Sequence, residues 1–248
     1  MIPLVVALAV VVGLSLGLLG GGGSILTVPL LVYVADAGPR EAITTSLLVV
    51  GVTSAVAVIT HARAGRVQWR TGLVFAGAGL TGAYAGGRLA AFVPEDLLLV
   101  GFAVMMVATA AAMVRGRKEA MTVHRDRLPV GWIVAQGVVV GLVTGLIGAG
   151  GGFLVVPALV LLGGLPMHVA VGTSLVVITA QSLAGLAGHL ADAHIDWTLA
   201  GAVTAAAVVG SLIGGRLAGR VDAAKLRAGF GWMTLVMGLL MLTQLSTS

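Results

Sequence analysis

The chain has 248 residues, of which 58% are hydrophobic and only 9% are charged, and its mean hydropathy is +1.11. A soluble domain carries about 25% charged residues, so this composition excludes a molecule whose whole surface faces water. The net charge is +5, but the basic residues stand in short clusters between apolar runs, as in the cytoplasmic loops of membrane proteins rather than on a nucleic-acid-binding face. The absence of cysteine excludes disulfides, thiolate metal sites and cysteine nucleophiles.

The hydropathy pattern predicts an all-α integral membrane protein with about five apolar segments in each half of the chain. The second segment of each half has about 12 residues, roughly 18 Å of helix, which is too short for a 30 Å hydrocarbon core. We therefore predict that the first two segments of each half form a hairpin of broken helices and that the other three cross. In chain order the segments are 3–19, 24–35, 42–60, 71–91 and 97–114, then 130–147, 152–163, 170–188, 198–217 and 226–245.

The two halves are related by a shift of 128 positions without gaps. Apolar composition alone does not explain the matched polar residues, and internal repeats of this kind are common in transporters. We predict a first transmembrane repeat at 1–114, a basic cytoplasmic linker at 115–128 and a second repeat at 129–248. The clearest matches are Thr45-Ser46-Leu47 with Thr173-Ser174-Leu175, His61 with His189, Trp69 with Trp197, and Gly86-Gly87-Arg88-Leu89-Ala90 with Gly214-Gly215-Arg216-Leu217-Ala218.

The positive charge of the loops changes sides between the halves. Loop 63–70 carries three arginines, whereas its equivalent, 191–197, carries no Lys or Arg. Loop 216–227 is basic, whereas its equivalent, 92–96, is not. Because basic loops stay in the cytoplasm, this pattern predicts inverted repeats with both chain ends outside the cytoplasm. An even number of crossings per half gives parallel repeats instead.

Two glycine clusters, residues 17–23 and 145–152, separate the first and second segments of the halves. Glycine permits positive φ, and non-helical backbone at membrane depth has to line protein or a wet cavity. The next helix is predicted to begin at Ser24 or Gly152, with free N–H groups that suit an anion near the midplane. Close helix packing is the alternative, but four consecutive glycines exceed what packing alone requires. The candidate binding residues are Gly20, Gly21, Gly22, Gly23, Ser24, Gly148, Ala149, Gly150, Gly151 and Gly152.

Hydroxyl groups at the start of the third segments are further candidates. They can cap a helix, bond between helices or donate to an anion. The spans carry no Asp, Glu, Lys or Arg near their centres, which favours a desolvated anion over a cation and predicts no metal or cofactor site. The main candidates are Thr45, Ser46, Thr173 and Ser174, and weaker ones are Ser54, Gln181 and Ser182.

Two histidines and two arginines stand at segment ends. His61 and His189 are about 24 Å along the helix from Thr45 and Thr173, which favours interfacial anchoring over a proton relay. Arg88 and Arg216 are predicted either to snorkel or to guide anions to the site. The sequence shows no Gly-x-Ser-x-Gly, His-Glu-x-x-His or phosphate-binding loop, so we predict that the protein is not an enzyme.

The motif Gly17-x-x-Gly20-Gly-Gly-Gly23 with Pro29, repeated as Gly145-x-x-Gly148-x-Gly-Gly-Gly152 with Pro157, resembles the sulfite exporter TauE/SafE family, also called four-toluene-sulfonate uptake permeases. The resemblance covers essentially the whole chain. It implies a multi-pass protein of the bacterial inner membrane that moves sulfite, sulfoacetate or another sulfur-containing anion. The second cluster departs from the first at Ala149 and Gly152, which stand where Gly21 and Ser24 stand.

The expected partners are a small anion and the lipid bilayer, with H+ or Na+ as coupling ion or no coupling at all. No nucleic-acid partner is expected, and a homo-oligomer is compatible with the sequence. A passive anion channel and a non-transporting assembly or receptor protein are the alternatives to a secondary transporter.

Overall fold

The computed structural model describes residues 2–90, 95–115, 129–147, 152–189 and 195–247. Within these residues all regular structure is helical, and the predicted segments are confirmed to within a few residues at their ends. The α-helices are α1 (Ile2–Leu19), α2 (Gly22–Pro29), α3 (Pro39–Arg63), α4 (Trp69–Ala90), α5 (Glu95–Arg115), α6 (Val130–Ile147), α7 (Gly152–Pro157), α8 (Met167–His189), α9 (Trp197–Ala218) and α10 (Ala223–Thr247).

The short helices α2 and α7 each end at a proline and continue as one wider π-helical turn. The two turns, Leu30–Val34 and Ala158–Leu162, stand at equivalent positions of the two halves. Proline has no N–H to donate to the carbonyl four residues earlier, so the backbone at this point readily leaves α-helical geometry. Each short helix with its turn is roughly 20 Å long, which agrees with the prediction that these segments do not cross alone.

Each half packs mainly against the other half. Helix α1 packs on α9, and its equivalent α6 packs on α4. Likewise α3 packs on α8 and α5 on α10, so each of these helices lies against its own counterpart. If each helix is replaced by its equivalent in the other half, the same set of helix pairs results, as a pseudo-two-fold axis between the halves requires.

Glycine seams hold the α1–α9 and α4–α6 pairs together. On α1, a Cβ atom at Gly13 would overlap the carbonyl group of Ala207, and one at Gly17 would overlap that of Ser211. Residue numbers increase together along this seam, so α1 and α9 are parallel. Gly13 and Gly17 therefore serve close helix packing, and Gly82 faces α6 in the same way.

The equivalent helices α3 and α8 cross in the opposite sense. The Cβ position of Gly51 lies 3.4 Å from the Ser182 side chain, and that of Gly185 lies 3.3 Å from the Leu47 side chain. Here one residue number rises as the other falls, so α3 and α8 are antiparallel. Two equivalent helices are antiparallel only if the axis relating them is perpendicular to both. This geometry fits the predicted inverted repeats.

The antiparallel arrangement brings the basic loops of both halves to one end of the molecule. The Cβ position of Gly219, after α9, lies 3.0 Å from Nη2 of Arg66, after α3. At the other end, the backbone N–H of Asp196 lies 3.4 Å from Oε1 of Glu41. The linker 116–128 lies outside the described residues. That the basic end faces the cytoplasm stays a prediction of the positive-inside rule.

Three helices among the described residues are long and apolar enough to cross a membrane: Glu41–Arg63, Met167–Ala187 and Trp197–Ala218. They lie in α3, α8 and α9, three of the six helices predicted to cross. Large apolar side chains are exposed around the molecule, as lipid contact requires. Trp69 and Trp197 are 49% and 68% exposed at the first residues of α4 and α9, where an aromatic belt is expected.

Cysteine labelling tests the predicted sidedness directly, because the natural chain has no cysteine. Single cysteines introduced as Arg117→Cys in the linker and Thr247→Cys at the end of α10 are expected to react with an impermeant maleimide from opposite sides of the membrane. Labelling in intact and in permeabilised cells distinguishes the sides. Labelling of both from one side would contradict the inverted repeats, whatever the helix count.

Candidate functional site

The first helix break lies between Leu19 and Gly22. Gly20 has φ of +80°, the left-handed region that favours glycine, and its N–H still donates to the Leu16 carbonyl at 2.8 Å. Helix α2 begins at Gly22, two residues before the predicted Ser24, and Gly21 precedes it without a side-chain cap. The break is therefore tight, and within this cluster only Gly20 needs positive φ.

The first helix break meets helices α7 and α8 of the second half through Gly20 and Gly21. A Cβ atom on Gly21 would lie 2.8 Å from the carbonyl oxygen of Gly152, the first residue of α7. A Cβ atom on Gly20 would lie 2.6 Å from Oγ of Ser174 on α8. Four predicted site residues, two from each half, are thus in one place.

The next two glycines face other neighbours. A Cβ atom on Gly22 would lie 2.5 Å from the Met233 methyl group on α10, and one on Gly23 would lie 2.6 Å from the Leu16 side chain on α1. Each of the four glycines therefore has a close neighbour of its own. The argument that packing cannot explain four consecutive glycines is wrong, and the anion role of the cluster stays a prediction.

The predicted hydroxyl residues are buried inside their helices. Helices α3 and α8 begin six residues before Thr45 and Thr173, so the capping alternative is wrong. Ser46 and Ser174 each donate to the carbonyl three residues earlier, at 2.7 and 2.8 Å. The Thr173 hydroxyl accepts the Gln68 N–H at 3.0 Å, which ties the α3–α4 loop to α8.

Much of the second cluster lies outside the described residues, including the candidates Gly148, Ala149, Gly150 and Gly151. The side chains of Ser24 and His189 do as well. Among the described residues, the contact between the halves at this point is that of Gly21 with Gly152.

His61 is fully buried, so interfacial anchoring, the interpretation that its place at a segment end favoured, is wrong. Its Nε2 lies 3.0 Å from the carbonyl oxygen of Gly17 on α1. Helices α8 and α9 cover its other sides through Gly172 and Gly215. Distance along a helix gives depth, but it does not tell whether neighbouring helices enclose the side chain.

The two predicted arginines are exposed at the ends of their helices. Arg88 Nη1 donates to the Tyr84 hydroxyl at 3.4 Å, one turn earlier on α4. Arg216 is exposed in the last turn of α9. Because Gly219, just after α9, lies against Arg66, just before α4, Arg216 stands at the end of the molecule where α4 begins, and Arg88 stands at the opposite end. Both positions suit either snorkelling or anion steering.

The structure adds unpaired polar groups along the third helices that the sequence analysis ranked low or passed over. Among the described residues, Thr53 Oγ1, Ser54 Oγ and Gln181 Nε2 are buried without a hydrogen-bond partner. Thr53 and Gln181 are equivalent positions of the repeats. An unsatisfied buried group costs about 1–3 kcal/mol, so these three groups along the α3–α8 pair are further candidates for contact with a polar solute. Their signal in the sequence is polarity at mid-span.

The fold defines a multi-pass α-helical membrane protein assembled from two related halves. The chain belongs to the sulfite exporter TauE/SafE family, which matches residues 5–241. It is 35% identical over 218 residues to a probable membrane transporter protein of Xylella fastidiosa (strain 9a5c), covering 86% of this chain and 84% of that one. It is 30% identical over 249 residues to the probable membrane transporter protein YunE of Bacillus subtilis (strain 168), covering 88% of each. No solved structure matches the chain.

Proposed function

We propose that this membrane transporter is a secondary transporter of the bacterial inner membrane for a small sulfur-containing oxyanion or organosulfonate, such as sulfite or sulfoacetate. The observation that carries the proposal is the contact of the first helix break with the second half, where Gly21 meets Gly152 at the start of α7 and Gly20 meets Ser174 on α8. The side chains there are neutral, and one is a hydroxyl. Backbone N–H groups and hydroxyls bind a desolvated anion without the cost of burying a second charge.

This contact lies between the halves, so relative movement of the halves opens it. In the described state a Cβ atom does not fit at Gly20 or Gly21, which corresponds to a closed site. Rocking of one repeat against the other around a fixed site is how inverted-repeat transporters alternate access. The unpaired hydroxyls of Thr53 and Ser54 on α3 then offer further polar groups to a solute that moves between the halves.

Solute uptake into proteoliposomes tests the proposal. The protein is reconstituted and offered sulfite, sulfate, thiosulfate, sulfonates and carboxylates, each over a range of concentrations. We expect saturable uptake of at least one sulfur oxyanion or sulfonate and little uptake of carboxylates. Uptake that does not saturate would instead indicate a channel, and no uptake of any solute would favour a non-transporting membrane protein.

The exposed arginines are expected to act only through long-range attraction. Arg88→Ala and Arg216→Ala should slow anion uptake several-fold at low salt and have little effect near 0.1 M salt, where charges are screened over about 10 Å. Uptake by each folded, reconstituted variant is measured at several ionic strengths. A variant that is inactive at every ionic strength would place its positive charge in the binding site itself.

A further inference from the structure

A basic corner, formed by a buried histidine and a half-buried arginine, lies at the end of α3, next to the first helix break. It consists of His61 and Arg66, which the backbone joins by a hydrogen bond from the Arg66 N–H to the His61 carbonyl at 2.9 Å. His61 binds the carbonyl of Gly17, one turn before Gly20 on α1. We call this pair the His61–Arg66 corner. The corner adjoins the break that carries the proposed function.

Hydrogen bonding fixes the tautomer of His61. A carbonyl oxygen only accepts, so Nε2 has to carry the hydrogen that bonds Gly17. In the neutral ring Nδ1 then has a lone pair, and it is buried with no partner among the described residues. Nη1 of Arg66 is likewise buried without an acceptor. The corner therefore holds one unused donor and one nitrogen that becomes a donor when it is protonated.

Two glycines of α9 make room for these side chains. The Cβ position of Gly215 lies 3.5 Å from His61 Nε2, and that of Gly219 lies 3.0 Å from Arg66 Nη2. Gly215 and Gly219 are four residues apart, about one helical turn, so both side chains lie against the same face of α9.

The charges around His61 favour an anion. Arg66 and His168, at the start of α8, are the titratable groups whose charges act on it. Helix α1 carries no charged residue, and on α9 the neighbours are glycines while Arg216 is exposed. His168 itself is engaged through Nε2 with the Val221 carbonyl at 3.0 Å. Protonating a buried imidazole beside a guanidinium is unfavourable unless a negative charge accompanies the proton.

Resting on the proposed function, we propose that His61 and Arg66 form a subsite where a small oxyanion binds together with a proton on Nδ1 of His61. The neutral ring offers the anion a lone pair, which repels it, whereas the protonated ring offers a charged donor. The anion in turn stabilises the buried positive charges, so each ligand strengthens the binding of the other. This coupling makes H+ the coupling ion, in preference to Na+.

Anion binding by the purified full chain tests the subsite without requiring transport. The probes are thiosulfate and methanesulfonate, which keep their charge between about pH 6 and about pH 8, so that only the protein titrates. Because the proton is needed on Nδ1, affinity is present at low pH and is lost as pH rises. If the protein binds up to one proton with each anion, the Kd for the anion should be at least tenfold lower at about pH 6 than at about pH 8.

Three variants identify the titrating group. His61→Gln keeps an N–H near the Nε2 position but cannot be protonated, so its Kd should be weak and independent of pH. Arg66→Gln should weaken binding about tenfold at both pH values while the pH dependence remains. The matched control is His168→Gln, since His168 also bonds a backbone carbonyl at this end of the molecule, and it should retain the wild-type pH dependence.

Several results would overturn the subsite: no binding of either probe, equal affinity at both pH values, or a pH dependence that survives in His61→Gln or disappears in His168→Gln. Proteoliposomes containing a pH indicator separate this inference from the proposed function. Proton entry that accompanies anion uptake supports the proposed coupling. Anion uptake without proton movement overturns the coupling, while the transporter assignment stands. Proton-linked binding without any anion flux supports the subsite and overturns the transporter assignment.

Discussion

Replacing Gly210 with alanine is expected to destabilise the protein severely, whereas the same replacement at Gly201, on the same helix α9, is expected to be harmless. A Cβ atom at Gly210 would overlap the carbonyl oxygen of Val10, which belongs to the backbone of α1 and cannot rotate away. Nothing lies within 4 Å of a Cβ atom at Gly201. We expect Gly210→Ala to cost on the order of 3 kcal/mol, and Gly201→Ala to gain up to about 1 kcal/mol from helix propensity.

Thermal unfolding of both variants in the same detergent measures this difference. The repeat supplies a second matched pair on α4, because Gly82→Ala would overlap the carbonyl oxygen of Val138 while nothing lies within 4 Å of the Cβ position of Gly77. Gly82→Ala should therefore behave like Gly210→Ala, and Gly77→Ala like Gly201→Ala. Equal stabilities within either pair would mean that the seams do not hold the halves together.

Gly22→Val is expected to abolish transport, and shortening the side chain of its neighbour Met233 is not expected to restore it. The new side chain would meet the Met233 methyl group, which is the flexible end of a side chain and can be removed as Met233→Ala. If Gly22 serves only packing, the double variant regains both stability and uptake. If the backbone at Gly22 contacts the anion, as predicted for the glycine cluster, the double variant regains stability but stays more than about tenfold slower.

Anion uptake and thermal stability are measured together for the two single variants and the double variant. Met233→Ala alone is the control, and it should transport because it only removes apolar atoms beside Gly22 and leaves the backbone there unobstructed. Ser174→Ala, which removes one neutral donor worth about 0.5–1.5 kcal/mol, should reduce affinity only by a factor of about 2 to 10. Wild-type uptake by the double variant would assign Gly22 to packing and leave Gly20 and Ser174 as the remaining candidates.

Most of the helix pattern follows from local chemistry, which is why the sequence was sufficient for it. Apolar runs, the glycine clusters and Pro29 and Pro157 predict where helices begin, break and end, and the structure agrees. The start of α2 was misplaced by two residues because only Gly20, rather than the whole cluster, takes a positive φ. The π-turns after the prolines were not predicted, since proline indicates a kink without specifying its hydrogen bonding.

Contacts between distant segments could not be predicted, and they decide the candidate site. Nothing near Gly22 in the sequence points to Met233, and nothing near His61 shows that Gly172 and Gly215 enclose it. The repeat correctly paired Ser46 with Ser174, but it could not show that Ser174 lies against Gly20 of the other half. Equivalent positions of the two halves can be read from the sequence, whereas the neighbours of a residue depend on how the halves pack against each other.

The exchange of partners between the halves has a consequence for biogenesis. Helix α1 packs on α9, which is synthesised about 190 residues later, and α3 and α5 likewise depend on α8 and α10. The first half therefore enters the membrane before the helices that complete its interfaces exist. Its spans have to persist as separately inserted helices, which lipid permits because each satisfies its own backbone. Assembly of the halves is thus the last step of synthesis. Two half-chains made separately would together carry both members of each of these helix pairs.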